Sequence, residues 1–282
     1  MSVIALDPTS PPAISPASFL GKVRNAEPGF FAFALLMLIA MAPTGFAAFA
    51  DPREFQGVDI WLKPLKFEFA LFVYFGTLAF FALFLPKGTT GKRWYRLFSG
   101  AVGIAAVLEI IWIGGAAALG TASHFNQTLF GMIVYSFAGI GATLIASATA
   151  VYAVQIARNT VTGLSPAVKE SLVTGLALTL PLTLISAGTM SQMGTHFIGG
   201  APTDAGGVPL MGWSRDGGDL RAAHFFATHV MHFIPAFGLV SAALFGPTNR
   251  WPVRILAVAF TAFVLFLFGQ ALMGRPFLPL LG

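Results

Sequence analysis

The chain has 282 residues, of which 56% are hydrophobic and 10% charged, and it carries a net charge of +5 and 29 phenylalanines. This composition excludes an ordinary soluble domain and indicates an integral membrane protein. Because cysteine is absent, disulfides, thiolate metal sites, iron–sulfur clusters and covalently attached c-type haem are also excluded. Any metal must therefore bind through His, Met, carboxylate or carbonyl groups.

The first part of the chain is rich in proline and serine. It contains no basic stretch followed by a short apolar core and a cleavage site, which a removable signal peptide would need. We therefore predict a disordered cytoplasmic tail over residues 1–28 and a single transmembrane domain over residues 29–282.

Apolar segments long enough to cross a hydrocarbon core of roughly 30 Å follow one another along the rest of the chain. The alternating pattern of a membrane β-barrel is absent, and helices satisfy their own backbone groups in lipid. We predict an all-α polytopic bundle of about seven transmembrane helices, with approximate spans 29–50, 65–86, 97–118, 128–156, 169–191, 222–245 and 252–274.

The distribution of lysine and arginine predicts the orientation of these helices. With a cytoplasmic N-terminus, ten basic residues lie on the inner side: Lys22, Arg24, Lys87, Lys92, Arg93, Arg96, Arg158, Lys169, Arg250 and Arg254. Six lie on the outer side: Arg53, Lys63, Lys66, Arg215, Arg221 and Arg275. We therefore predict a bacterial inner-membrane protein with an outer, periplasmic C-terminus. The positive charge indicates anchoring to anionic lipid, and no nucleic-acid partner is expected.

In this topology all five histidines lie toward the outer side. They are His124, His196, His224, His229 and His232. His124 follows the third span, His196 follows the fifth, and the other three lie on the sixth, where His232 is about 12 Å deeper than His224 at ~1.5 Å per residue. Since histidine is costly inside a bilayer, the cluster predicts a site for metal, haem or protons.

Two further features accompany the histidines. Glu109 lies near the middle of the third span among apolar neighbours, so it must be protonated, paired or facing a wet interior. A Gly-rich outer loop at about residues 192–221 is long for a connection in a helical bundle. We interpret it as a lid over an outer site rather than a loose linker, because it contains Trp213 and several aspartates.

Several short motifs resemble those of a group of bacterial multi-pass membrane proteins, and together they span most of the chain. They are Lys63-Pro64-Leu65-Lys66-Phe67, Ser123-His124-Phe125-Asn126, Gly212-Trp213-Ser214, Gly217-Gly218-Asp219-Leu220-Arg221, and His224-Phe225 with His229. The resemblance implies a shared outer-face site and carries over no activity. Because glutamine is frequent in that group at the position of His232, the resemblance places more weight on His124, His224 and His229.

The leading hypothesis is an outward-facing site that binds haem b, copper or zinc and performs redox chemistry or handles the metal. In this hypothesis His124, His224 and His229 are ligands, and His196 is a ligand or proton partner. His232 is a further candidate ligand. Glu109 or Asp219 orients a ligand, and Arg221 holds a haem propionate or an anionic substrate.

Two other functions also fit the sequence. In a proton-coupled transporter or permease, His and Glu would relay protons without a fixed metal, although the seven spans show no repeat of two equal halves. In a structural or assembly subunit, the histidines would be incidental, and the partner would be a larger membrane complex or a second copy of the chain. A retinal protein is disfavoured because the last span contains Gln270 and no lysine.

Overall fold

The computed structural model describes residues 16–278. It contains eight α-helices: α1 Pro16–Ala26, α2 Pro28–Ala50, α3 Leu62–Phe81, α4 Arg93–Ala118, α5 Leu129–Arg158, α6 Pro166–Met193, α7 Leu220–Phe245 and α8 Trp251–Leu272. A single 3₁₀ turn, Ala82–Phe84, extends α3. Two antiparallel strand pairs are very short: β1 Glu54–Phe55 with β2 Val58–Asp59, and β3 Phe197–Ile198 with β4 Gly218–Asp219.

Within residues 16–278, seven helices, α2 to α8, are long and apolar enough to cross a membrane, which confirms the predicted all-α class and the number of spans. Side chains fix several helix starts by accepting a backbone N–H. Thr128 caps α5 through the N–H of Gly131, and Asp219 caps α7 through the N–H of Arg221. At the other end of α6, Gly194 takes the left-handed conformation with φ 64° and terminates the helix.

Helix α1 lies within the segment that we predicted as a disordered tail over residues 1–28. It is amphipathic: Val23 is buried in the core, whereas Lys22 and Arg24 are exposed. Because its apolar side packs on the bundle, the helix is held in place although its other side is polar. The prediction for residues 1–15 and for 279–282 lies outside the described residues.

The bundle has two ends, which we name by their composition. The histidine end carries the connections 51–61, 119–128 and 194–219, and the basic end carries α1 and the connections 85–92, 159–165 and 246–250.

Helices α6 and α7 form the most extensive helix pair. A Cβ at Gly238 of α7 would overlap the side chain of Ser171 on α6, so the small residue permits this close approach.

The long connection 194–219, which we call the cover loop, is folded across the histidine end. The N–H of Asp204 and the hydroxyl of Thr203 donate to the carbonyl of Gln56 in the β1–β2 hairpin, at 2.9 and 2.8 Å. Trp213 is buried against Phe225 of α7 and Phe277. The cover loop is therefore packed against both the hairpin and the helices, and its role as a lid stays a prediction.

Candidate functional site

His124 is the centre of a three-residue chain formed by α3, α4 and the connection after α4. Its Nδ1 lies 3.3 Å from Nζ of Lys63 and its Nε2 lies 3.5 Å from Oε1 of Glu109. An ammonium group only donates hydrogen bonds, so Nδ1 accepts and the ring proton resides on Nε2, which faces Glu109. Lys63 is exposed at the histidine end, whereas Glu109 is 8% exposed. The chain thus leads from the surface to a buried carboxyl group.

The backbone around His124 is held by local hydrogen bonds. The indole N–H of Trp112 donates to the carbonyl of Ser123 at 2.7 Å, and Asn126 donates to the carbonyl of Ala122 at 3.0 Å. Phe125 adopts a positive φ of 59°, which turns the chain sharply after His124. Burial, followed by the neighbouring charges of Lys63, His196 and His224, holds the pKa of His124 well below its usual value. His124 is therefore neutral, and its single ring proton is the one that faces Glu109.

Arg221 is the centre of a second group, at the start of α7. Its guanidinium donates to both carboxylate oxygens of Asp219 and, at 2.7 Å, to Asp204 of the cover loop. A further bond at 2.9 Å reaches the carbonyl of Gly212. Asp219 is 2% exposed and also accepts the backbone N–H of Ser214. Arg221 and Asp219, proposed from the sequence to bind a cofactor, thus tie the cover loop to α7.

His196 lies beside this group. Its Nδ1 is 3.8 Å from Oδ1 of Asp219, beyond hydrogen-bond distance, and among the described residues this buried nitrogen has no hydrogen-bond partner. The ring of Phe125 lies 6.1 Å from the ring of His196 and 6.3 Å from that of His124, between the two groups. Burial, followed by the positive charge of Arg221, lowers the pKa of His196 to about 4.

The three histidines of α7 descend into the bundle. Nδ1 of His224 lies 3.0 Å from Oγ of Ser186, whose hydroxyl proton goes to a backbone carbonyl of α6, so Nδ1 of His224 is the donor. Nδ1 of His229 donates to the carbonyl of Phe225 at 2.9 Å. In both rings Nε2 has no hydrogen bond to a described residue.

His232 is the deepest member of the cluster. Its Nε2 lies 3.0 Å from the hydroxyl of Thr77 on α3, and its ring centroid is 5.3 Å from that of His229. Thr77 is fifteen residues after the start of α3 at Leu62, or about 22 Å along the helix at ~1.5 Å per residue. Because α3 also begins at the histidine end, the polar side chains extend deep into the bundle from that end.

Within residues 16–278, no group of three or more His, Asp or Glu side chains is placed to hold a metal ion. The five histidines share one region, but they make separate contacts: His124 with Glu109 and Lys63, His196 beside Asp219, and His224, His229 and His232 along α7. A haem needs fewer protein ligands than a single metal ion, because one or two imidazoles suffice.

Sequence reasoning did not identify several residues that contact the histidines, among them Lys63, Thr77 and Ser186. Lys63 could have been predicted, because a lysine at the start of an apolar span is close to any polar site at that end. Thr77 and Ser186 could not, since hydroxyl groups in membrane helices commonly bond to their own helix backbone and so do not indicate a site.

Comparison of the chain with protein-family models, with curated proteins and with solved structures found no match. Function is therefore inferred from the geometry of the described residues.

Proposed function

We propose that the protein is a proton-coupled transporter or permease of the bacterial inner membrane, in which Lys63, His124 and Glu109 relay protons at an outward-facing site. The observation that supports the proposal is the end-to-end arrangement of these three groups, from an exposed ammonium through one imidazole to a buried carboxylate. Ionisable groups are costly at membrane depth, and such residues mark ion and proton pathways.

The relay step conserves protons and charge. Lys63 gives a proton to Nδ1 of His124 while Nε2 of the same ring gives its proton to Glu109. The products are a neutral amine, the other imidazole tautomer and a neutral carboxylic acid. The exposed Lys63 regains its proton from water at the histidine end. The step moves one positive charge inward without requiring an imidazolium, which the burial of His124 disfavours.

In this proposal the histidine end faces outward and the basic end faces the cytoplasm, with the N-terminus inside and the C-terminus outside. The support is the concentration of ten of the sixteen lysines and arginines at or beside the basic end. The cover loop then lies on the outer face, where Arg221 joins it to α7 through Asp204 and Asp219.

We expect Glu109→Gln to reduce proton flux to the rate of protein-free liposomes. Glutamine keeps the size and hydrogen-bonding capacity of the side chain but cannot receive the relayed proton. The measurement is dye-reported proton uptake into liposomes that contain the purified protein, after a pH gradient is imposed.

The matched control is Glu170→Gln. Glu170 is also a carboxylate on a transmembrane helix, but it lies near the start of α6 at the basic end and is paired with Arg254 and Arg250. Its replacement should leave the flux unchanged. Wild-type flux in Glu109→Gln, or a wild-type protein no more active than empty liposomes, would contradict the proposal.

A second candidate function, binding of haem b or of a copper or zinc ion, is supported by the rings of His224 and His229. Metal-ligating histidines usually donate the second ring N–H to a carbonyl or a similar acceptor, which fixes the ring with the other nitrogen free. His224 and His229 have this arrangement, with Ser186 and the carbonyl of Phe225 as acceptors. Either residue would hold a haem through its free Nε2, and a bound haem would supply redox chemistry.

If this second candidate is correct, we expect the protein to purify with a Soret band, or with stoichiometric copper or zinc and no such band. His224→Ala or His229→Ala should reduce the signal because each removes an imidazole with a free Nε2. His124→Gln is the control, because both ring nitrogens of His124 already face partners, Lys63 and Glu109. The measurements are an absorbance spectrum and elemental analysis of one detergent-purified sample; a colourless, metal-free protein would exclude this candidate.

A further inference from the structure

A buried acid also lies at the opposite end of the bundle from the histidines. Glu27, between α1 and α2, is 3% exposed, and its carboxylate accepts the backbone N–H of Phe30 at 3.2 Å as it caps α2. Ser, Thr, Asp and Asn are the residues usually preferred at a helix cap. A glutamate that is both buried and capping therefore requires an explanation beyond the cap.

Two tyrosines extend from Glu27 into the bundle. The hydroxyl of Tyr95, near the start of α4, hydrogen-bonds the Glu27 carboxyl group. The same hydroxyl lies 2.6 Å from the hydroxyl of Tyr152 on α5, and both tyrosine side chains are almost completely buried. Glu27, Tyr95 and Tyr152 thus form a continuous hydrogen-bonded chain of titratable groups from three segments.

The electrostatic surroundings of Glu27 favour a bound proton. Burial raises the pKa of Glu27, and the hydrogen bonds from Tyr95, Phe30 and Gly29 only partly oppose it. Among the described residues, the titratable groups that interact with Glu27 from the neighbouring helices are Tyr95 and Tyr152, and neither is a cation. The site therefore lacks the positive charge that would hold a buried carboxylate ionised.

The tyrosine pair is connected through aromatic packing to the helix that carries Thr77. Phe30 packs on Tyr152, with ring centroids 6.2 Å apart, and on Phe75, at 5.4 Å. Phe75 lies on α3 two residues before Thr77, the partner of His232, and about 200° from it around the helix. Apolar core residues therefore separate the polar side chains of the histidine end from those of the basic end.

We propose that Glu27, with Tyr95 and Tyr152, is a second proton-binding site, which exchanges protons with the cytoplasm and provides the inner terminus of the proton pathway. The proposal rests on the proposed function, which supplies the outer terminus at Lys63, His124 and Glu109. The Glu27 carboxylate takes up one proton from water at the basic end and becomes a neutral acid. The apolar layer around Phe30 and Phe75 separates the two sites, as alternating access to two sides of a membrane requires.

The test is infrared difference spectroscopy of the full-length protein in liposomes whose internal and external pH are set separately. We expect the C=O stretch of a protonated carboxyl group that responds to pH on the basic-end side and is lost in Glu27→Gln. Glutamine retains a carbonyl oxygen to accept the Phe30 N–H, so the cap and the fold are preserved. Tyr95→Phe should shift the band because it removes a hydrogen bond, and Glu109→Gln should leave it in place.

Proton flux measured on the same samples decides what the site does. Loss of flux in Glu27→Gln, together with loss of the band, supports the inner terminus. Absence of the band, a response only to pH at the histidine end, or wild-type flux in Glu27→Gln would overturn it and leave Glu27 as a helix cap. If the wild-type protein conducts no protons, the proposed function fails, while the infrared titration still shows whether Glu27 binds a proton from the basic end.

Discussion

Replacing Asp219 with alanine is expected to lower the free energy of unfolding by about 3–5 kcal/mol, the range typical for removing one partner of a buried ion pair. Asp219 is 2% exposed and receives hydrogen bonds from the guanidinium of Arg221 and from the backbone N–H groups of Ser214 and Arg221. Its loss leaves a partly buried cation without its main counter-charge, removes the α7 cap and releases the cover loop.

Two variants separate the ion pair from the rest of the network, and the measurement is thermal or SDS unfolding of the purified protein. Asp204→Ala should cost less, because Arg221 keeps Asp219 as its partner. Asp219→Asn should also cost less than Asp219→Ala, because asparagine keeps an oxygen that can cap α7 and removes only the charge. A loss of stability in Asp219→Asn equal to that in Asp219→Ala would show that the missing charge, and not the lost helix cap, causes the effect.

The membrane helices were predictable because their signal is compositional. A span needs about 20 apolar residues whatever it packs against, and the seven predicted spans agree with α2 to α8 to within a few residues at each end. Helix α1 was missed because a short amphipathic helix has no such signal. Its stability depends on the burial of Val23 against the bundle, which is a tertiary property.

The location of the site was predictable to a lesser degree. Counting spans places His124, His196 and the start of α7 at one end, and helical geometry places His232 below His224. The sequence does not show how each ring is oriented. That His124 faces Glu109 depends on the turn at Phe125, and that His232 contacts Thr77 depends on the packing of α7 beside α3.

Arg221 illustrates why a residue type does not determine a role. An arginine beside a histidine cluster suggested a clamp for a propionate or an anionic substrate. In the structure its guanidinium is occupied by Asp204, Asp219 and a carbonyl of the cover loop. These partners lie 17, 2 and 9 residues away along the chain, so only the folded loop brings them together. For Arg221 to bind a ligand, it would have to give up contacts that hold the cover loop in place.

The buried, neutral His196 should make the stability of the protein depend on pH. The pKa of His196 is lowered from 6.5 to about 4, first by burial and then by the charge of Arg221. Between these values the unfolded chain binds a proton at His196 and the native protein does not. The stabilisation is therefore fully present above pH 6.5, is lost as the pH falls, and is gone below about 4. The shift corresponds to roughly 3 kcal/mol.

The measurement is SDS unfolding of wild type and His196→Gln at pH values across this window. Glutamine fills a similar space and does not titrate, so the stability of the variant should fall less steeply between pH 6.5 and about 4. The difference between the two curves gives the contribution of His196 to the pH dependence of stability. His124, whose pKa is also lowered, contributes with the same sign in both proteins and therefore cancels. Parallel curves would mean that His196 binds a proton as readily in the folded protein as in the unfolded chain, as an ion pair of the protonated ring with Asp219 would allow.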